Sequence, residues 1–158
     1  MTSERKQEFT LRITQANPTE LTVILYEIAV LYTKEAMEKD PIAEKAEYRD
    51  AIRKTRNCVQ ELFSTLNFEY EISGKLLSLY MYVNRELIRA DIRKKREPLE
   101  NVITILQKLH DAYESISDQD QTAPIMENTQ AVYAGLTYGR TTLNENLSNQ
   151  GTNRGFLV

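Results

Sequence analysis

Apolar residues recur at intervals of three and four along most of the chain, and this periodicity predicts amphipathic helices. Four segments carry the pattern: residues 18–39, residues 43–66, a third segment that starts near residue 72, and a fourth that starts at residue 98. The links between them are short, so successive helices are expected to be antiparallel neighbours. We therefore predict an all-α fold, in which residues 1–117 form an up-down four-helix bundle with a short extended segment at its N-terminus.

The first predicted helix has clear start signals and more apolar residues than one face can hold. Asn17 can cap the helix, and Pro18 suits its first position, where the missing N–H leaves no hydrogen bond unmade. Glu20 is placed to complete a capping box. Only two of the twelve residues 21–32 are polar. A surface helix needs a single apolar stripe, so more of the chain or a partner must cover the other faces.

Two sets of apolar positions divide this helix. The stripe predicted to face the core takes every third or fourth residue: Leu21, Leu25, Ile28 and Tyr32. Four other apolar residues then lie on the remaining faces: Val23, Ile24, Val30 and Leu31. These leftover faces are the first sign of a binding surface in the sequence.

Residues 118–158 differ in composition from the rest of the chain. Residues 1–117 contain only Gly74, whereas the last segment contains the other four glycines and many Asn, Gln and Thr residues. This composition predicts a flexible tail, with a possible short fifth helix over residues 124–136. The tail ends in three apolar residues that could dock in an apolar groove: Phe156, Leu157 and Val158.

Charge and hydropathy narrow the classes of partner. The formal net charge of −3 gives no long-range attraction to nucleic acid or to an anionic membrane. The apolar run at residues 21–32 is shorter than the ~20 residues that a membrane span requires, and no apolar leader marks a secretory signal. We therefore expect a cytoplasmic protein that binds no nucleic acid and inserts in no membrane.

Few residues could support catalysis. His110 is the only histidine, whereas a di-iron site in a helical bundle needs at least two. A phosphoacceptor role for His110 stays open, although Asp111 and Glu114 beside it would repel phosphate. Cys58, the only cysteine, is expected to act as a small buried apolar residue. We predict no cofactor, no metal and no catalytic residue, while nine tyrosines and no tryptophan favour a binding protein.

Two stretches resemble a known family. Residues 16–21, followed by Leu25, Tyr26 and Glu27, resemble the opening helix of the flagellar secretion chaperone family, FliS. Residues 79–91 resemble that family's L-Y-D-Y-x-x-R-x-L-I-x-A-N stretch, and the last predicted helix agrees in spacing. The resemblance covers about residues 9–117 and implies a chaperone fold of antiparallel helices.

The resemblance also implies a function and partners. A chaperone of this kind binds the disordered C-terminal region of flagellin in apolar grooves and prevents premature polymerisation. It then delivers its client to the cytoplasmic domain of the flagellar type III export gate. Two other functions stay open from the sequence: a histidine phosphotransfer module that uses His110, or a generic helical adaptor for another client.

Candidate client contacts come from the leftover faces of the first helix and from the tyrosines of the third. The groove residues are Ile24, Leu25, Leu31, Tyr80 and Tyr82. Phe9, Leu11 and Ile13 alternate, so an extended N-terminal segment would present all three to one groove as a lid. The sequence leaves open which face binds the client, the oligomeric state, and the role of residues 118–158.

Overall fold

The computed structural model describes residues 1–126, and every regular element in that part of the chain is an α-helix. In chain order the helices are α1 (Ser3–Gln15), α2 (Pro18–Glu38), α3 (Lys45–Ser64), α4 (Glu71–Arg93) and α5 (Glu97–Ser117). The predicted all-α class is confirmed, and the four periodic segments correspond to α2 through α5. No helix of the described residues is long and apolar enough to cross a lipid bilayer.

The start of α2 has the predicted capping box. The Asn17 side chain accepts a hydrogen bond from the Glu20 backbone N–H at 2.8 Å, and the Glu20 carboxylate accepts one from the Asn17 N–H at 2.9 Å. Pro18 occupies the first turn. These contacts satisfy N–H groups that would otherwise have no partner at the helix end, and they fix where α2 begins.

Helices α2 through α5 share one apolar core, which we call the main core. Helix α2 packs against α3 and α5, and α4 packs against the same two helices. The Tyr48 hydroxyl donates to the Ala90 carbonyl at 3.0 Å, and Arg56 Nε donates to Asn84 Oδ1 at 2.8 Å. Since the start of α3 therefore meets the end of α4, these two helices run antiparallel. The antiparallel order of the other pairs stays a prediction.

The stripe of α2 that faces the main core differs from the predicted one. The fully buried positions are Tyr26, Ala29, Thr33 and Ala36, and their spacings of three and four are helical. Of the predicted stripe, Leu25, Ile28 and Tyr32 do pack against the main core but are only partly buried, and Leu21 packs in the contact with α1 instead. Small residues at the centre let the neighbouring helices approach α2 closely. Thr33 is hidden at no cost in hydrogen bonding, because its hydroxyl donates to the Ala29 carbonyl at 2.7 Å.

The N-terminal segment also differs from the prediction, because residues 3–15 form a helix and not an extended segment. The Thr2 hydroxyl caps α1 by accepting a hydrogen bond from the Arg5 N–H. Phe9 and Ile13 are four residues apart and so share one helical face, while Leu11 lies on another face and is 42% exposed. The extended segment was predicted because these three residues alternate with polar ones, as residues on one face of a β-strand do. The predicted tail features beyond residue 126 lie outside the described residues.

Candidate functional site

Helix α1 covers the face of α2 that points away from the main core. Phe9, Ala16 and Ile24 are buried together there. Five partly buried residues surround them: Met1, Ile13, Leu21, Ile28 and Leu31. We call the α2 part of this contact, made by Leu21, Ile24, Ile28 and Leu31, the α2 outer face. Among the helices of residues 1–126, α1 packs directly against α2 alone.

The polar contacts of α1 with α2 are weak. Arg12 Nη1 lies 2.7 Å from Glu27 Oε2, and both side chains are partly exposed, which limits the contribution of such an ion pair to about 0–1 kcal/mol. The Arg12 guanidinium also lies 5.3 Å from the centre of the Phe9 ring. An isolated helix of the length of α1, 13 residues, is marginal in water. Just before α1, the N-terminal ammonium of Met1 lies 2.9 Å from Glu35 Oε2 of α2. Attachment of α1 therefore combines burial of Phe9 with the packing of Met1 and Ile13 and with these two ion pairs.

Two open clefts flank α1 between α2 and α5. The first has a volume of about 410 Å³ and extends from the start of α2 to the end of α5. It is lined by Arg12, Gln15, Ala16, Glu20, Val23, Ile24, Glu114 and Ser117. The second, of about 390 Å³, runs along the middle of α1 and includes Leu31 and His110. Helix α1 therefore leaves part of the groove between α2 and α5 unfilled.

The segment after α5 fastens the junction between α1 and α2. The Asp120 carboxylate accepts hydrogen bonds from the Thr19 hydroxyl at 2.6 Å and from the Thr19 N–H at 3.3 Å. Asn17 Nδ2 donates to the Asp120 carbonyl at 3.1 Å, and the Ile125 N–H donates to the Ala16 carbonyl at 3.1 Å. The hydrogen bonds from Thr19 and Thr122 hold the pKa of Asp120 at about 2. The sequence carries no local signal for this attachment, because Asp120 is 101 residues from Thr19 and 103 from Asn17.

Three tyrosines meet inside the main core. The hydroxyls of Tyr26 and Tyr80 lie 2.5 Å apart, and the rings of Tyr26 and Tyr113 are 5.5 Å apart. Burial raises the pKa of Tyr80 to about 12 and raises the pKa of Tyr26 as well. Both phenols are therefore neutral hydrogen-bonding groups of the core across the physiological range.

The structure brings together two of the five predicted groove residues. Ile24 and Leu31 both lie on the α2 outer face. Leu25 packs against the main core, and Tyr80 is part of it with 2% of its surface exposed. Tyr82 is partly exposed on α4, where the Arg85 guanidinium lies 5.2 Å from the centre of its ring.

The predicted lid residues divide in the same way. Phe9 is buried against α2 and Ile13 is partly buried there, whereas Leu11 is exposed on the other side of α1. The spacing of residues 9, 13 and 16, read as a helical pattern after the cap at Thr2, would have identified α1 and its covering face.

The residues weighed for catalysis lie in unremarkable surroundings. His110 Nδ1 lies 3.0 Å from Asp111 Oδ1 and 3.9 Å from Glu114 Oε2, so a phosphate on this ring would face two carboxylates. Within residues 1–126 these three residues alone have the spacing of metal ligands, and both carboxylates are exposed. Burial raises the pKa of Cys58 to about 11, which keeps the thiol protonated and unreactive.

Comparison with known proteins gives a consistent result. The family model described as flagellar protein FliS matches residues 1–120. The flagellar secretion chaperone FliS of Bacillus subtilis (strain 168) is 31% identical over 104 residues, which make up 64% of this chain and 76% of that protein. The matched region contains α1 through α5, and it therefore includes the α2 outer face and the helix that covers it.

Proposed function

The chain belongs to the FliS family, and from this premise we propose that it is the export chaperone of a flagellin. Family membership confirms the predicted chaperone role in flagellum assembly and the absence of enzymatic activity. The client of the proposed chaperone is the disordered C-terminal region of flagellin, which it holds before export.

The observation that carries this proposal is the α2 outer face. It is an apolar helical surface covered by one helix, which packs against no other helix of residues 1–126. Open clefts with mostly polar linings flank it along α5. Such a groove accepts the apolar face of an amphipathic helix. In the proposed complex, a flagellin helix packs on Ile24 and Leu31 in place of α1 and extends into the clefts.

The energetics suit an exchangeable cover. Burial of the Phe9 side chain favours docking of α1 on α2, whereas the conformational entropy that α1 loses on docking opposes it. A client with a larger apolar face displaces α1 without disturbing the main core, because the two apolar clusters have no buried residue in common and only the partly buried Ile28 packs against both.

The second partner in the proposal is the cytoplasmic domain of the flagellar export gate. A chaperone that keeps its client from polymerising must also bring it to the export apparatus. Displacement of α1 provides a signal that distinguishes the loaded chaperone from the free one, since the face of α1 that includes Phe9 and Ile13 becomes available only when the client is bound. Gate binding is expected to require the client.

The proposal is tested by titrating the full chain with a fluorescent peptide made of the last ~40 residues of the flagellin encoded in the same genome. Binding is expected with a dissociation constant below about 10 micromolar. Leu31→Asp places a charge on the α2 outer face and is expected to weaken binding at least ~10-fold. Glu38→Ala, an exposed position of the same helix, is the matched control and leaves affinity unchanged.

Variants of α1 separate the groove from its cover. Phe9→Ala loosens α1 and is expected to tighten client binding, whereas Leu11→Ala on the exposed side of α1 has no effect. Thermal melts verify that each variant is folded. The proposal is contradicted if the wild-type chain does not bind the flagellin peptide at ~100 micromolar, or if Leu31→Asp and Glu38→Ala bind it equally well.

A further inference from the structure

The outer surface of α4 carries apolar residues where a bundle helix is normally polar. Met81, Ile88 and Ile92 are 64%, 39% and 74% exposed. Their spacings of seven and four residues place them on one face of the helix. We call these three residues the α4 strip. At 1.5 Å per residue the strip is about 17 Å long, the length of three turns of a partner helix.

Arginines border the α4 strip on both sides. On one side is a row from α3, made of Arg49, Arg53 and Arg56, and on the other side are Arg85 and Arg89 of α4 itself. Arg49 Nε lies 2.9 Å from Asp91 Oδ1, and Arg56 donates to Asn84 of α4. These two contacts hold the α3 row beside the strip.

Two of the five arginines have no ion-pair partner within residues 1–126. Arg56 bonds the neutral amide of Asn84, and Arg85 stacks over the Tyr82 ring. The carboxylates near the strip are already engaged: Asp50 pairs with Arg53 and Lys54, Asp91 with Arg49 and Lys94, and Glu86 with Arg89. A chain with a formal net charge of −3 therefore concentrates positive charge around an exposed apolar strip.

We propose that this surface docks an amphipathic helix of a partner protein that carries acidic residues on both sides of its apolar face. The apolar face of the partner buries the α4 strip, and its carboxylates pair with Arg56 and Arg85. Arginine suits this role because its planar guanidinium binds a carboxylate in a bidentate manner. Charge complementarity of this kind speeds association and selects an acidic helix over a basic one.

This docking surface is separate from the α2 outer face, so the inference goes beyond the proposed function. Helix α1 packs against α2, while α4 packs against α3 and α5. The α4 strip is exposed while α1 is in place, and displacement of α1 does not alter it. A flagellin client and an acidic helix can therefore occupy the chain together.

The test uses a designed peptide of ~15 residues, long enough to span the strip at 1.5 Å per residue. It carries leucine at positions i, i+4, i+7 and i+11 with glutamate on both sides, and a second peptide has lysine in place of each glutamate. The acidic peptide is expected to bind the full chain in the tens of micromolar, and the basic peptide is expected not to bind. Binding weakens as salt is raised, because exposed charges are screened.

Matched variants locate the contact. Ile92→Ser and Arg56→Ala are each expected to weaken the acidic peptide about 10-fold, which corresponds to about 1.4 kcal/mol. Ile42→Ser, at a position 80% exposed in the link between α2 and α3, and Lys108→Ala, at an exposed position of α5, are the controls and leave binding unchanged. A saturating flagellin peptide leaves binding of the acidic peptide unaffected.

Four outcomes overturn the inference. They are equal binding of both designed peptides, equal loss in the control variants, displacement of the acidic peptide by flagellin, and dimerisation of the chain that Ile92→Ser abolishes. The third result would make the strip part of the client site, and the fourth would make its occupant a second copy. A fifth is failure of the acidic peptide to bind at all, and binding of vesicles rich in anionic lipid would then identify the occupant as a membrane surface.

Discussion

Helix α2 packs on two sides, and the two contacts differ in kind. Toward the main core it buries Tyr26, Ala29 and Thr33 completely, against α3 and α5. Toward α1 it offers Ile24 and Leu31, which one short helix covers, with open clefts beside them. The first contact is part of the apolar core that α2 through α5 share. In the proposed function the second contact opens without unfolding the rest, which is the property that an exchangeable binding face needs.

The largest expected effect comes from a substitution in the main core. Leu106 of α5 is completely buried in the main core. Leu106→Ala is expected to lower the free energy of unfolding by about 2–5 kcal/mol, because it leaves a cavity that the surrounding helices fill only in part. Urea denaturation followed by circular dichroism measures the change. A loss below about 1 kcal/mol would mean that the core is loosely packed at this position.

The second prediction concerns the α1 side. Phe9 is as well buried as many core residues, at 3% exposure, yet Phe9→Ala is expected to lower the free energy of global unfolding by less than about 2 kcal/mol. Once α1 has detached, Phe9 no longer contacts α2, so a weaker Phe9 contact cannot lower the stability of helices α2 through α5 any further. The variant should instead lose helical signal before the main transition. Leu11→Ala is the control, and a full core-sized loss for Phe9→Ala would contradict the comparison.

The third prediction uses pH to probe the tyrosines of the main core. The pKa of Tyr80 is about 12 in the folded chain, against an ordinary value of 10.0. The protonated Tyr80 phenol therefore stabilises the folded chain fully below pH 10. This contribution to the free energy of unfolding is lost as the pH rises toward 12, because the unfolded chain releases the phenol proton at a lower pH than the folded chain does. Tyr80→Phe is expected to lose about 0.5–1.5 kcal/mol at neutral pH, since Tyr26 loses its hydrogen-bond partner.

The loss of stability at alkaline pH is measured by comparing the wild type with Tyr80→Phe. The free energy of unfolding of Tyr80→Phe should fall less steeply between pH 10 and 12 than that of the wild type. Urea midpoints at several pH values give both slopes. If the free energy of unfolding falls equally steeply with pH in both proteins, burial does not raise the pKa of Tyr80 and the prediction is contradicted.

The smallest expected effect lies at the junction between the two regions. Asp120 is hydrogen-bonded to Thr19 and Asn17 at the start of α2. Asp120→Asn weakens these contacts and removes a negative charge from a helix N-terminus, where it is favourable. The midpoint of unfolding is expected to change little, while the Thr19 amide exchanges faster with solvent. Unchanged exchange at Thr19 would contradict the attachment of residues 118–126.

The sequence predicted α2 through α5 because their signals are local. The cap at Asn17 and the three-and-four periodicity act within one helix, and the structure confirms both. The core-facing stripe of α2 was less predictable. By hydropathy alone, Leu25 and Ile28 are better core residues than Ala29 and Thr33, yet they are only partly buried against the main core while Ala29 and Thr33 are fully buried. Which positions are fully buried depends on the neighbouring helices.

The candidate site was harder to predict, because its parts are distant in sequence. The surplus apolar residues Ile24 and Leu31 correctly indicated that α2 has a second face to cover. What covers it depended on whether residues 3–15 form a helix, and the alternation of Phe9, Leu11 and Ile13 favoured the wrong conformation. The contact of Asp120 with Thr19 has no sequence signal, since it arises only when the end of α5 reaches the start of α2.

Hydrogen exchange measured by mass spectrometry tests the central claim, that α1 is an exchangeable cover over the α2 outer face. In the free chain, the amides of α1 are expected to exchange at least ~10-fold faster than those of α2 through α5, because α1 opens locally. A saturating flagellin C-terminal peptide should speed α1 exchange further and slow exchange in α2. If α1 exchanges as slowly as α2, or if the peptide leaves α1 unchanged, α1 is a fixed part of the fold and the account is contradicted.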